Sequence, residues 1–271
     1  YNMPSAYRLL GPVDKKKLHQ VFNRLIERHQ SLRTAFYIKE GEPVQEIHPS
    51  LPFVIEDITH PDPQSTLHDA VTAFVRPFEL DRPPLLRVGL LPLNPDDHLL
   101  IIDMHHIVSD GTSMRVLAQE FTTLSRGDQL PPLKRQYIDY SQWRHTPEQQ
   151  EALQAQEQAW TSQFHGHIPV LDLPLDYTRP PVRQFDGAEI SFQLTPDHTR
   201  RLNALALRNG ATAYMVLLAM YSVLLAKLSN QEDIIIGSPV AGRSHADLEN
   251  IIGMFVNTLA LRTRPQGDKT F

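Results

Sequence analysis

The organisation of this chain hangs on the run Leu99-Leu100-Ile101-Ile102-Asp103-Met104-His105-His106-Ile107-Val108-Ser109-Asp110-Gly111-Thr112-Ser113-Met114. Its apolar start predicts a buried strand, and the following Arg115-Val116-Leu117-Ala118-Gln119-Glu120-Phe121 predicts a helix. Two adjacent histidines therefore end a strand, and Ser109-Asp110-Gly111 turns the chain into the helix. Side chains alternate across a strand. That puts His105 on the face of Ile101 and Asp103, and His106 on the face of Ile102 and Met104. The rings then have separate jobs, one entering a site as base or positioner, the other held in the scaffold. Opposed faces make them poor joint ligands for one metal ion, and the chain has neither Cys nor a His-Glu-x-x-His pair, so no metal is expected.

Working outward, three more stretches stand in order. Arg28-His29-Gln30-Ser31-Leu32-Arg33-Thr34-Ala35-Phe36 comes first, Tyr137-Ile138-Asp139-Tyr140-Ser141-Gln142-Trp143 third, and Ile252-Gly253-Met254-Phe255-Val256-Asn257-Thr258-Leu259-Ala260-Leu261-Arg262 last. With His105-His106-x-x-x-Asp110-Gly111 second, the set resembles the motifs of nonribosomal peptide synthetase condensation domains, Gln30 in place of Glu being the one departure. The resemblance covers essentially the whole chain. It implies an α+β fold of two chloramphenicol-acetyltransferase-like lobes in a V-shaped pseudo-dimer, with the His-His motif at the junction. The family's first motif, upstream of Tyr1, and the two beyond Phe271 are missing. A fragment of a longer synthetase, with a truncated second lobe, is therefore expected.

The activity implied is amide formation between two carrier-bound thioesters. The amine of a downstream aminoacyl thioester attacks an upstream aminoacyl or peptidyl thioester. Both ride on phosphopantetheine arms of partner carrier domains, so no cofactor of this domain's own is expected. An adenylation domain in the same chain is an implied partner. The family's second His is His106, the expected catalytic residue; an α-amine of pKa about 8 is largely protonated at neutral pH, and a neutral imidazole can take its proton or hold it in line. His105, Asp110, Gly111, Arg33, Arg243 and Asn257 are expected to shape the site. Asp110 is read as a brace, paired with either Arg33 or Arg243. Gly111 would let backbone approach the thioester closely, and Asn257 would either bond towards the site or be an ordinary strand Asn. Ser113 and Ser238 have no triad context.

Rival readings share the fold or the His pair. A coenzyme A-dependent acyltransferase is disfavoured by the first and last motifs and by the absence of Asp-Phe-Gly-Trp-Gly. An epimerisation domain would carry Trp soon after Asp-Gly, where Thr112-Ser113-Met114 stands, and a cyclisation domain Asp in place of His105. A non-catalytic carrier-recruiting module is disfavoured by the intact His106 and Asp110.

The remaining sequence is that of an ordinary globular protein: 271 residues, 41% hydrophobic, 21% charged, net charge -5. No basic footprint suggests nucleic acid, no signal peptide is expected in this stretch, and the lack of Cys fits a cytoplasmic protein. Residues 14–29 predict an amphipathic helix. Residues 33–37 and 44–47 predict strands, with another possible at 53–56. Pro61-Asp62-Pro63 precedes a helix over 67–76, and 85–91 pairs with 98–105 as a hairpin. Helices are predicted over 112–125 and, broken near Pro147, over 137–164. A proline-rich linker, 169–187, divides an N-terminal lobe, 1–168, from a C-terminal lobe, 188–271. That lobe is read as a strand at 188–194, helices at 197–208 and 211–228, a strand at 233–237, a short helix near 247–251 and a strand at 255–262. The helix over 211–228 is the most apolar in the chain. Its uncharged run is too short to span a membrane and suits a buried core helix, so no membrane partner is expected.

Overall fold

The computed structural model describes residues 1–59, 66–182, 184 and 187–267. The expected break at Pro61-Asp62-Pro63 and part of the linker lie outside them. The chain forms two compact units, one of Tyr1–Ala152 with Val240–Asn257, the other of Leu153–Pro239 with the chain from Thr258 onward.

The first unit is built on a sheet. Strand β1 (Asn2–Leu10) leads to helix α1 (Lys15–Arg28), whose N-terminus is capped by the Asp14 carboxylate accepting from Lys16 and Lys17 N–H. A hairpin of β2 (Thr34–Lys39) and β3 (Glu42–Ile47) follows, then the short β4 (Glu56–Asp57) and helix α2 (Leu67–Phe74). Strands β5 (Leu86–Asn94) and β6 (Asp97–His105) form the long hairpin, and α3 (Gly111–Arg126) ends at Gly127 with φ of 92°. The four-stranded sheet runs β1-β6-β5-β4, antiparallel except for β4 on β5. Its two faces are covered separately. Leu18, Val21, Phe22 and Leu25 of α1 and Val116 and Leu117 of α3 pack on Leu86, Val88, Ile102 and Met104. Ala70 and Phe74 of α2 pack on Leu99 and Ile101 of the opposite face. The i, i+3, i+4, i+7 stripe of α1 supplies the buried edge anticipated from sequence. Helices α4 (Tyr137–Arg144) and α5 (Pro147–Thr161) part at the predicted proline break.

The second unit contains α6 (Pro196–Arg208), α7 (Ala213–Ser229) and a two-stranded sheet of β7 (Ile234–Val240) and β8 (Asn257–Thr263). Arg262 clamps it with two bonds to Asp233, at 2.9 and 2.6 Å, and two to the Gln163 and His167 carbonyls.

Two expectations are corrected here. The strand expected at 188–194 is absent: that segment has no pairing, and Ile190 and Phe192 are 89% and 82% exposed. Period-2 alternation makes a strand only where a neighbour accepts its hydrogen bonds, and the sheet here is β7 and β8 alone. Helix α7 forms, but as a half-exposed element: Val216, Ser222 and Leu225 are buried, while Met215, Tyr221 and Leu224 are 50–56% exposed. The described part of its unit offers too few elements to cover a helix apolar all round. Residues 240–257 fold with the first unit, held by bonds described next. Among the described residues no single helix is long and apolar enough to cross a membrane.

Candidate active site

Strand β6 stops at His105, whose N–H donates to the Leu85 carbonyl at 3.0 Å. His106 opens a single 3₁₀ turn, His106–Val108, so strand alternation does not set its direction, as had been expected. That turn is fixed by its backbone. His106 N–H donates to the Tyr1 carbonyl at 2.9 Å, Ile107 N–H donates to His105 Nδ1 at 3.0 Å, and the Ser109 hydroxyl donates to the His105 carbonyl at 3.1 Å. Burial pushes the His105 imidazole below its ordinary range, helped by the neighbouring His106. The half-buried His106 ring has no hydrogen-bond partner among the described residues. Among those residues no three His, Asp or Glu side chains gather as metal ligands.

Asp110 is the N-cap of α3, accepting from Ser113 N–H at 2.8 Å. Its carboxylate meets Arg243 as a fork, Nη1 to Oδ2 at 2.7 Å and Nη2 to Oδ1 at 3.1 Å, both side chains being almost wholly buried. Phe255 N–H adds a further bond at 3.1 Å. Burial alone would raise the Asp110 carboxyl; Arg243, the Ser113 amide and hydroxyl and the Phe255 amide outweigh it and hold the group below its usual range.

The same cluster grips the backbone of residues 251–255 at every step. Arg243 donates to the Ile251 carbonyl at 3.1 Å. Ile252 gives its N–H to His29 Nδ1 at 3.4 Å and takes the Ser31 hydroxyl on its carbonyl at 2.7 Å. Gly253 N–H donates to Ser113 Oγ at 3.1 Å, and the Tyr137 hydroxyl donates to the Met254 carbonyl at 2.9 Å. Ser113 has one proton and two acceptors at 2.8 Å, Asp110 Oδ1 and the Gly253 carbonyl, while it also accepts from Arg243 at 3.0 Å. His29 is buried against Glu120, Nε2 to Oε2 at 2.7 Å, and Glu120 also takes Arg28 Nε at 3.0 Å. Four separate sequence motifs thus meet as one hydrogen-bonded block behind the His106 turn.

A family model described as condensation domain matches residues 1–271. The chain belongs to the condensation domain family. It is 47% identical over 271 residues to bacitracin synthase 2 of Bacillus licheniformis, a match that covers 100% of this chain but only 10% of that protein. It is 48% identical over 271 residues to gramicidin S synthase 2 of Aneurinibacillus migulanus, covering 100% of this chain and 6% of that one. Among solved structures it resembles a four-domain nonribosomal peptide synthetase bound to AMP and glycine, with TM-score 0.85, 24% identity, and coverage of 99% of this chain and 21% of that one. The mixed α/β architecture is the condensation domain fold.

Within this condensation domain the two arginine candidates for Asp110 separate. Arg33 does not reach it. Its guanidinium donates to the carbonyls of Ile26 at 3.1 Å, Glu27 at 3.3 Å and Pro49 at 3.3 Å, and to that of His48. It closes the C-terminal carbonyls of α1, which helix geometry leaves without partners. Among the described residues Gly111 has nothing within 4 Å of where a Cβ would stand, and its φ is not positive, so neither their packing nor its backbone conformation calls for glycine. Asn257 opens β8 and is exposed. Ser113 was passed over because it lacks a base; its part is as a hub, and its spacing three residues after an N-cap Asp was the available signal. Arg87 and Asp103 were missed too, although each interrupts an apolar strand and they sit opposite one another across the hairpin.

Proposed function

We propose that this condensation domain forms an amide bond between two carrier-bound thioesters, with His106 as the catalytic residue. The amine nitrogen attacks the thioester carbonyl, the C–S bond breaks, and the nitrogen's proton passes by way of His106 to the departing sulfur. His106 acts as base, positioner or both; because a thioester is already activated, holding the amine in line carries much of the acceleration. One observation supports this reading above the rest: the backbone around His106 is bonded on both sides while its ring has no partner among the described residues. Asp110 is occupied by Arg243 and serves as the brace. The open space over Gly111 suits close approach of the thioester arm. His105, Arg33 and Asn257 shape and support the site.

The partners under this reading are the upstream and downstream carrier domains with their phosphopantetheine arms, and an adenylation domain in the same chain. The test is His106→Ala in the full synthetase with both carriers loaded. We expect dipeptide formation to fall about 10²–10⁴-fold, the usual worth of acid–base help, with the melting temperature unchanged. Full activity would remove His106 from the mechanism.

A further inference from the structure

The face of β6 that carries His105 is apolar further down, where Leu99 and Ile101 lie under α2. At its upper end it turns polar. Asp103 shares that face, Arg87 of β5 stands opposite Asp103, and Asn2 of β1 stands opposite His105. Asp103 is fully buried; Oδ2 accepts from Asn2 Nδ2 at 2.7 Å, and Oδ1 has no partner among the described residues. Arg87 Nη1 lies 3.6 Å from Asp103 Oδ2, within ion-pair distance but too long for a hydrogen bond. Burial pushes the Asp103 carboxyl up and the Arg87 guanidinium down, though the guanidinium stays charged.

The hydrogen bonds of Arg87 go to the loop after α2. Nη1 donates to the Arg76 carbonyl at 2.6 Å and Nη2 to the Pro77 carbonyl at 2.7 Å. The guanidinium carbon lies 3.7 Å from the ring centroid of Phe78. Phe78 in turn meets the His105 ring edge-on, centroids 6.0 Å apart at 89°, and Tyr1 contacts the same ring at 6.5 Å and 66°. His105 Nδ1 holds the Ile107 amide, so the neutral ring carries its proton on Nε2, and the turn that bears His106 is set by that bond.

We propose that Arg87 and Phe78 are positioning residues for condensation: the guanidinium pins two successive carbonyls, Phe78 is thereby pressed on His105, and His105 fixes the turn that presents His106. The inference rests on the reading of His106 given above. Lysine cannot replace Arg87, because a single ammonium neither spans two consecutive carbonyls as a planar fork nor stacks flat on a ring.

The test uses the full synthetase with loaded carriers, measuring kcat and the KM for the loaded acceptor carrier. A displaced catalytic turn loses rate rather than binding, so Arg87→Lys and Phe78→Ala are each expected to lower kcat about tenfold with KM within about twofold. Phe78→Tyr, which keeps the ring, is expected to hold kcat near wild type. The double variant Arg87→Lys/Phe78→Ala is expected to be about as slow as either single variant, since both break one line of contact. Should Arg87→Lys fail to fold, the contrast between Phe78→Ala and Phe78→Tyr decides. Wild-type kcat in Phe78→Ala or in a folded Arg87→Lys, independent multiplication of the two losses, or a Phe78→Tyr as slow as Phe78→Ala would overturn the inference. His106→Ala, run alongside, separates the failures. If it is inactive while Phe78→Ala is fully active, only the positioning role falls; if it is fully active, the assignment of His106 falls.

Discussion

Arg243→Met tests the brace most directly. The substitution keeps the aliphatic stem but removes both bonds to Asp110, the bonds to Ser113 Oγ and the Ile251 carbonyl, and the guanidinium stacked 4.2 Å from the Phe255 ring centroid. Asp110 would remain buried with only the Ser113 amide and hydroxyl and the Phe255 amide to hold it. Breaking one side of a buried pair costs about 3–5 kcal/mol, which for a unit of this size lowers Tm by about 6–20 °C. Differential scanning calorimetry of the full chain measures it. The double variant Asp110→Asn/Arg243→Met is expected to cost clearly less than the sum of the singles, because the stranded charge is gone. The pH dependence has a definite sign. Asp110 is held below its ordinary range, so its contribution is complete above the unfolded-state pKa of about 4 and is lost as pH falls through the folded value. The gap between wild type and Arg243→Met should therefore be full at pH 7 and narrow in acid. A Tm within about 2 °C of wild type at pH 7, or strict additivity in the double variant, would refute the brace.

Gly111→Ala should leave Tm unchanged or slightly raised, since alanine is the better helix former and its Cβ meets nothing within 4 Å among the described residues, while slowing condensation; an unaffected rate would show that no substrate passes there. Gly253→Ala places a Cβ within 2.9 Å of Tyr137 ring atoms and should cost about 1–3 kcal/mol, read from the urea midpoint; an unmoved midpoint would mean the ring steps aside freely. Arg33→Ala should lower stability by about 1–3 kcal/mol, through the carbonyls it strands, without changing turnover per folded molecule; a selective loss of turnover would return Arg33 to the site.

Much of the first unit was legible in advance because its signals are local. The apolar stripe of α1, the hairpin of β5 and β6, the Gly127 stop and the Pro147 break each depend on neighbours within a turn or a pair of strands. The same logic failed at 188–194 and in α7, where alternation and apolarity say what a segment would bury but not whether anything is there to bury it. At the site, local pattern carried His105 to the strand end but not His106 into its 3₁₀ turn, whose geometry depends on Tyr1, Ile107 and Ser109 together.

By itself the sequence determined the family, most of the elements from α1 to α5 and the identity of the histidine pair, since these rest on residue types at short, fixed spacings. Only the tertiary structure decided between Arg33 and Arg243 for Asp110, made Ser113 a hub, and brought Arg87 through Phe78 to His105. Arg243 lies 133 residues from Asp110 along the chain. A bond of a few ångströms between such distant positions depends on how α3 and the 240–257 segment pack together, and no periodicity in the sequence encodes that distance.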